Sequence, residues 1–412
     1  MNVFIVIEPM IDSQAPSRLT SLWRDSSTSA WIAGIVCVLV GYASSVAVIF
    51  QAAAALGANP AQTASMLWAL GLGMGLTTGA MALVYRVPIV TAWSTPGAAL
   101  IAATAVGGVP IYSFAEGVGA FIIAAVLVII VGASGAFERV IRHVPAAIAS
   151  SMLAGVLLRF GMDTFVAMKA QPVLVLGMCT AYLLARWFVP RYMVIAALLA
   201  GLVLAGVLGI YPPSQLDWQF TTPVFTMPQW SWAATIGLAI PLWVVTMASQ
   251  NAPGTAVLRA SGYATPVSAP IAATGVATLL LAPFGAIMVN LAAISAAICQ
   301  SPQSHSDPAR RYVASVSAGV VYCIGGLMGA MVAGGIALLP KPLILAVAGL
   351  ALLNTIANGL TTGLRVDATR EAGIVTFLIT ASGVSFFGVG AAFWGLIGGV
   401  VVLAATRAPR SK

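Results

Sequence analysis

Long apolar stretches alternate with short polar ones along the whole chain, and several of them carry no charge. Residues 26–85, 192–216, 260–306 and 372–406 contain no Asp, Glu, Lys or Arg. About 20 apolar residues wound as a helix cross the ~30 Å hydrocarbon layer of a membrane. The pattern therefore predicts fourteen membrane segments. They lie at 30–55, 61–85, 88–105, 112–136, 145–160, 171–187, 191–211, 231–252, 266–283, 286–300, 311–337, 341–360, 370–388 and 390–406.

Two of these segments, the third and the tenth, are interrupted in the same way. The third contains "PIVTAWSTPGAAL", and the tenth, with the three residues before it, reads "PFGAIMVNLAAISAAIC". Each opens with an extended, β-prone stretch and then shows a helix-start signal. In the third segment Ser94 or Thr95 is the expected cap and Pro96 the first helical residue, where a missing N–H does no harm. In the tenth, Asn290 is the expected cap. Each segment is therefore predicted to be a short extended stretch plus a helix of about ten residues, half a crossing.

The order of the segments predicts two inverted halves. A central loop at 212–230 has no basic residue and leaves seven segments on each side. An odd number of crossings per half makes the second half enter the membrane from the opposite side, as in inverted-repeat transporters. The predicted fold is an all-α polytopic membrane protein with two seven-segment repeats, 30–211 and 231–406. A cytoplasmic arm (1–29) and a cytoplasmic tail (407–412) flank them.

Composition and charge support a membrane protein and exclude other classes. Of the 412 residues, 60% are hydrophobic and 7% are charged, against roughly 25% charged in soluble domains. The net charge of +8 is spread between apolar blocks rather than clustered, which excludes a nucleic-acid surface. With the N-terminus inside, 15 of the 18 basic residues fall on the inner side. This positive-inside bias predicts that both termini are cytoplasmic.

Small residues and cysteines have simple expected roles. "GLGMG" (71–75) and "GGLMG" (325–329) carry small-xxx-small spacings, which are expected to pack helices within one subunit; a homodimer face is the alternative. The four cysteines all lie in apolar spans without a CxxC pair, so they predict neither a metal site nor a disulfide. No cofactor is expected.

The paired interruptions predict an anion site at mid-membrane depth. A helix that begins inside the membrane leaves its first N–H groups unpaired and directs the positive end of its dipole there. Two such ends facing each other bind an anion without Lys or Arg. The candidate residues here are Trp93, Ser94, Thr95 and Gly97 in the third segment and Asn290 in the tenth. Trp93 is either a packing aromatic or a stacking partner for an aromatic ligand.

Two other segments contribute uncharged polar side chains. Ser249, Gln250 and Asn251 form a cluster late in the eighth segment; they contact a ligand, cap the helix end or bond a neighbouring helix. In the first segment, Ser44 and Gln51 are seven residues apart and share a helix face. A packing role is the alternative for Gln51, near the outer end.

The chain resembles the benzoate:proton symporter (BenE) family. The resemblance covers nearly the whole chain, through "AWSTPGAAL" (92–100), "TMASQNAPGTAVLRASGY" (246–263), "NLAAISAAIC" (290–299) and "SHSDPARRY" (304–312). It implies a bacterial inner-membrane protein that imports benzoate or a similar aromatic carboxylate with protons. It also implies the seven-plus-seven fold shared with nucleobase and sulfate-type transporters, in which segments 1, 3, 8 and 10 surround the ligand. The acidic residues of nucleobase relatives are absent from segments 8 and 10, which favours an anionic ligand.

The expected activity is secondary active transport by alternating access. A passive or exchanging small-anion channel or transporter and a nucleobase-type permease are the alternatives. An enzyme is not expected, because no catalytic cluster occurs. Segments 3, 8 and 10 hold no Asp, Glu or His. The weak candidates for proton coupling lie elsewhere, at Glu116, Asp163, His143 and His305, unless the substrate enters as the acid.

Overall fold

The computed structural model is mostly helical and describes residues 18–105, 109–137, 146–210, 220–263, 267–293, 295–384, 386 and 391–407. Its helices are α1 (Arg18–Asp25), α2 (Thr28–Ala55), α3 (Pro60–Tyr85), α4 (Thr95–Ala102), α5 (Phe114–Ala133), α6 (Ala146–Ala167), α7 (Pro172–Phe188), α8 (Met193–Val207), α9 (Trp232–Arg259), α10 (Ser268–Leu281), α11 (Ala296–Gln300), α12 (Tyr312–Leu327), α13 (Gly329–Ala337), α14 (Lys341–Leu364), α15 (Asp367–Ser382) and α16 (Ala391–Arg407). Its strands are β1 (Thr91–Trp93) and β2 (Val289–Leu291). Every predicted segment contains at least one of these elements.

Helix length by itself supports fewer crossings than the hydrophobic pattern predicts. Among the described residues, five helices are long and apolar enough to span a membrane, or seven when two bent pairs are each counted once. Several other apolar helices, including α7 and α8, have 10–17 residues. The predicted segment 311–337 is one of the bent pairs, because the chain turns by 68° between α12 and α13. This segment therefore consists of two helices joined by a sharp bend rather than one continuous helix.

Glycines bring α3 and α12 into close contact at the centre of the main core. A Cβ on Gly326 would lie 3.0 Å from the Cα of Gly71, and one on Gly319 would lie 2.8 Å from the carbonyl oxygen of Gly75. Side chains at these positions would force the two helices apart. The small-xxx-small motifs thus pack helices within one subunit, as predicted, and they join the two halves of the chain.

The two strands pair with each other inside the helical bundle. β1 and β2 pair antiparallel, with Ala92 opposite Asn290. The Ser94 N–H donates to the Met288 carbonyl at 2.8 Å, and the Ala292 N–H donates to the Val90 carbonyl at 2.9 Å. Segments far apart in sequence therefore meet in one short ribbon, which satisfies backbone groups that lipid could not.

The predicted interruptions are confirmed in the third segment and need correction in the tenth. Ser94 caps α4, and Pro96 is the second helical residue rather than the first, because the helix begins at Thr95. Asn290 is not a cap: it lies within β2, where pairing with Ala92 keeps the backbone extended. The helix that follows begins only at Ala296. The two short helices have eight and five residues, fewer than the ten expected.

Candidate functional site

Side chains of two equivalent helices hold the outer edges of the strand ribbon. In antiparallel pairing, alternate N–H groups point away from the partner strand and need other acceptors. On β1, the Thr91 N–H donates to Oγ1 of Thr78 from α3 at 2.9 Å. On β2, the Val289 N–H donates to Oγ1 of Thr278 from α10 at 3.0 Å. A threonine from the preceding helix therefore serves each strand in the same way.

The remaining two outward N–H groups differ from each other. The Leu291 N–H donates to Oδ1 of Asn251 from α9 at 2.9 Å. By the register of the ribbon, the Trp93 N–H also points outward, and no acceptor for it is found among the described residues. Trp93 is only 4% exposed. A buried N–H without an acceptor is rare in proteins, so this group is a donor suited to a ligand.

The Trp93 side chain is packed, and its polar end is occupied. Its indole Nε1–H donates to Oγ of Ser45 at 2.8 Å, and Ser45 Oγ–H donates to the Gly41 carbonyl at 2.8 Å. The ring of Tyr42 lies edge-on to the indole, with centroids 4.7 Å apart. This arrangement matches the packing alternative for the Trp93 side chain, while its backbone N–H remains a candidate donor.

Tyr42 is a candidate that sequence reasoning missed. Its ring is half-buried beside Trp93, and its hydroxyl is buried without a hydrogen-bond partner in the described part of the chain. A tyrosine among apolar helix residues gives no distinctive sequence signal. Only its contact with Trp93 places it next to the strand ribbon.

Ser94 and Asn290 hold the start of α4 in place. Ser94 is fully buried, and its Oγ accepts the Gly97 N–H at 3.1 Å and the Thr246 hydroxyl at 3.0 Å. The Asn290 amide, oriented to satisfy both of its ends, shares the Ser94 N–H with the Met288 carbonyl, accepting it at 2.9 Å, and donates to the Leu291 carbonyl at 3.1 Å. Both side chains are thus engaged within the protein and act first as positioning residues.

Thr95 and Gly97 occupy the first turn of α4. Thr95 is half-buried, and its hydroxyl has no hydrogen bond to any described residue. Gly97 lies where α4 approaches α9: a Cβ there would come within 2.6 Å of Cδ1 of Leu242 and 2.7 Å of Oγ of Ser94. Thr95 therefore remains available to a ligand, whereas a side chain at Gly97 would displace Leu242 or the Ser94 cap.

The polar cluster of the eighth segment lies in a π-helical stretch of α9. This stretch spans Met247–Asn251. Ser249 and Gln250 are half-buried there, and Asn251 is fully buried against β2. The helix continues to Arg259, so the alternative that the cluster caps a helix end was wrong. A π insertion often marks a functional site, because it changes the direction of side chains without ending the helix.

Of the two candidates in the first segment, Gln51 does not join this group. Gln51 lies in α2, nine residues after Tyr42, which is roughly 13 Å along the helix axis. Its Nε2 is buried with no acceptor among the described residues. The helix also bends by 42° between Tyr42 and Ser45. The side chain of Ser44 lies outside the described residues.

Glu116 has a local structural partner. It lies in the first turn of α5, where its Oε2 accepts both the N–H and the hydroxyl of Ser113 at 2.9 Å, as part of a capping box. Among the other weak candidates, Asp163 is half-buried, Nδ1 of His305 accepts the Asp307 N–H at 3.0 Å, and His143 lies outside the described residues.

Comparisons with known proteins identify the family. The family model described as benzoate membrane transport protein (BenE) matches residues 24–405. The chain belongs to the BenE family. It is 37% identical to the benzoate membrane transport protein of Acinetobacter baylyi, over 96% of this chain and 99% of that protein. It is 44% identical to the inner membrane protein YdcO of Escherichia coli, over 90% of this chain and 94% of that protein.

Solved structures support the same fold for this BenE-family chain. It is similar to the transmembrane domain of the cyanobacterial bicarbonate transporter BicA, with a TM-score of 0.60 at 14% identity over 90% of this chain and 97% of that one. It is also similar to SLC26A9, with a TM-score of 0.59 at 14% identity over 94% of this chain and 67% of that one. The chain therefore has a mostly helical transporter fold of this kind, and it is a membrane transporter rather than an enzyme.

Proposed function

We propose that this transporter imports benzoate or a similar aromatic carboxylate, together with protons, by alternating access. The observation that carries the proposal is the buried Trp93 N–H, which lacks an acceptor among the described residues and lies at the start of α4. A carboxylate supplies the strong acceptor that this group needs. The Acinetobacter relative, whose name states benzoate transport, supports the aromatic substrate class.

In this proposal the carboxylate lies between the Trp93 N–H and the Thr95 hydroxyl. The positive end of the α4 dipole favours an anion at that position, and the nearby polar side chains of α9 are uncharged. The aromatic ring of the substrate lies against Tyr42, whose hydroxyl has no partner among the described residues. Ser249 and Gln250 complete the polar side of the site from α9, while Ser94, Asn290 and Asn251 hold the strands and α4 in position.

The same proposal assigns an inverted topology of fourteen segments. Residues 30–211 form the first repeat and residues 231–406 the second, with both termini in the cytoplasm. Three equivalences support it: Thr78 and Thr278 serve their strands alike, α3 packs on α12 as α10 packs on α5, and α7 packs on α8 as α15 packs on α16. Alternating access then moves the elements around the strand ribbon against the helices outside it.

Proton coupling needs a carrier, and two routes are open to test. The Glu116 carboxylate is one carrier, and the substrate itself, entering as benzoic acid, is the other. Uptake of labelled benzoate into proteoliposomes after a pH jump separates them when Glu116→Gln is compared with the unaltered chain. Loss of the pH response with preserved exchange of benzoate assigns the coupling to Glu116.

Replacement of the Trp93 amide by an ester tests the site directly. The ester removes the N–H but keeps the indole, its bond to Ser45 and the strand geometry. We expect the benzoate Kd to rise roughly tenfold to a hundredfold, the value of one hydrogen bond to a charged acceptor. The same replacement at Leu291 is the matched control, because that N–H is bonded to Asn251 and its loss lowers stability rather than affinity.

An unchanged benzoate Kd in the Trp93 ester would contradict the proposed site. Competition measurements separate the alternative functions. Displacement of benzoate by substituted benzoates but not by uracil or bicarbonate supports the proposal, whereas preference for a nucleobase or an inorganic anion contradicts it. Electrogenic flux far above carrier turnover would instead indicate a channel.

A further inference from the structure

A buried carboxylate near the predicted cytoplasmic surface lies among three arginines. Asp25, the last residue of α1, is 5% exposed. Its carboxylate oxygens lie 3.5 Å from Nε of Arg24, 4.0 Å from Nη1 of Arg86 and 3.9 Å from Nε of Arg310. The arginines come from α1, from the end of α3 and from the turn before α12. Arginines from segments far apart in the sequence thus surround one buried carboxylate.

Among the described residues, the fixed negative charge of this cluster is smaller than its positive charge. The Tyr312 hydroxyl donates to Asp25 at 2.9 Å, and Asp307 provides a second carboxylate, 3.4 Å from Nε of Arg310. Two described carboxylates therefore lie against three guanidinium groups, those of Arg24, Arg86 and Arg310, which leaves an excess of positive charge in this part of the structure.

The side chains of the three arginines are exposed at the protein surface, whereas Asp25 is buried. The exposed fractions of their side chains are 67% for Arg24, 46% for Arg86 and 45% for Arg310, against 7% for Asp25. All three ion-pair distances are 3.5 Å or longer, so none is a short, charge-assisted hydrogen bond. An anion at the protein surface can therefore approach the guanidinium groups without displacing Asp25.

A tryptophan next to this cluster indicates the membrane interface. Trp23 in α1 is 77% exposed, although the preceding Leu22 packs against the core. Tryptophan is enriched at the level of lipid headgroups, where its ring is apolar and its N–H is polar. α1 is thus a short surface helix with an exposed aromatic ring beside exposed guanidinium groups, directly before the first membrane segment.

We propose that Arg24, Arg86 and Arg310 bind the phosphate of an anionic phospholipid from the leaflet on the predicted cytoplasmic side, with Trp23 packed against its glycerol and upper acyl region. Guanidinium groups suit phosphate oxygens by charge and by hydrogen-bond geometry. Basic side chains attract acidic lipids at the inner surface of membranes. Because Arg86 directly follows α3 and precedes the segment that contains β1, such a lipid is bound next to one of the broken crossings.

The test compares lipid retention by single-charge variants of the full chain. The protein is purified in a neutral detergent, incubated with phosphatidylglycerol or phosphatidylcholine, and analysed by native mass spectrometry. We expect retained phosphatidylglycerol, and a reduction of at least fivefold in Arg24→Gln and Arg310→Gln. Arg186→Gln is the matched control, because it removes an exposed charge from the same predicted face but away from Asp25. Retention by that variant should be unchanged.

Arg24→Gln is the variant expected to disturb folding least, because this side chain is the most exposed of the three. A melting temperature unchanged in phosphatidylcholine shows that the variant is folded. Inorganic phosphate at millimolar concentration distinguishes a lipid from a free phosphate, since it should not displace the bound lipid. Equal retention in all variants, equal loss in Arg186→Gln, or equal retention of phosphatidylcholine would each overturn the proposal.

Discussion

The Leu291 backbone N–H donates a 2.9 Å hydrogen bond to the side-chain oxygen of Asn251, while the outward N–H of Trp93 on the opposite strand has no acceptor among the described residues. On one edge of the strand ribbon α9 thus supplies an acceptor for the outward N–H, whereas on the other edge the corresponding N–H has none among the described residues. This asymmetry leaves one edge of the ribbon with a backbone donor that is available to a ligand.

Removal of the Asn251 side chain should damage the ribbon rather than the ligand contact. In Asn251→Ala the buried Leu291 N–H loses its acceptor, at a cost of about 1–3 kcal/mol. We expect a lower melting temperature in detergent together with reduced benzoate uptake. An alanine variant as stable as the unaltered chain would show that the bond has no structural value.

The two strand-supporting threonines should behave as an equivalent pair. Thr78→Val and Thr278→Val keep the side-chain shape but remove the acceptor for Thr91 and Val289, respectively. Each should destabilise the protein by about 1–3 kcal/mol, measured from thermal unfolding, and serine at either position should restore most of it. A loss at one position only would argue against equivalent roles for the two threonines.

A methyl group at Gly97 should disturb the start of α4. Gly97→Ala places a carbon 2.6 Å from Cδ1 of Leu242 and 2.7 Å from Oγ of Ser94, so the Leu242 side chain and the Ser94 cap must shift, and core overpacking of this kind costs about 1–3 kcal/mol. We expect loss of uptake and a lower melting temperature. Gly79→Ala in α3 is the control, since nothing lies within 4 Å of its added carbon. That variant should be equally or more stable, because alanine favours a helix over glycine.

Thr95 is the side chain best placed to test ligand contact without loss of structure. Its hydroxyl has no bond to a described residue, whereas the Asn290 amide bonds both Ser94 and Leu291. Thr95→Val should therefore raise the benzoate Kd severalfold with little change in melting temperature. Asn290→Leu should instead lower stability and uptake together. Benzoate titration and thermal unfolding of both variants check this contrast, and unchanged affinity in Thr95→Val would remove Thr95 from the site.

Glu116→Gln should leave coupling intact if the capping box accounts for this residue. Glutamine at the third helical position also closes a capping box, so stability should change by less than about 1 kcal/mol. The measurement is the dependence of benzoate uptake on external pH in proteoliposomes. A flattened pH profile would assign Glu116 to proton coupling instead.

The sequence by itself determined the membrane class, the approximate positions of the apolar helices and the interruption of the third segment. Apolar length and the Ser-Thr-Pro-Gly signal at 94–97 are local properties, and local propensity decides where a helix begins. The tenth segment was harder, since Asn290 suits a cap as well as a strand. Pairing with Ala92, nearly two hundred residues away, decided between them.

Only the tertiary structure separated supporting residues from open ones. Ser94, Asn251 and Asn290 are polar residues in apolar segments, and from the sequence each is an equal candidate for ligand contact. Their hydrogen bonds to Thr246, Leu291 and Ser94 assign them to positioning, while the N–H of Trp93 is left over. Which polar groups are bonded and which are free depends on contacts between residues far apart in the sequence. Hydrophobic periodicity carries no information about those contacts.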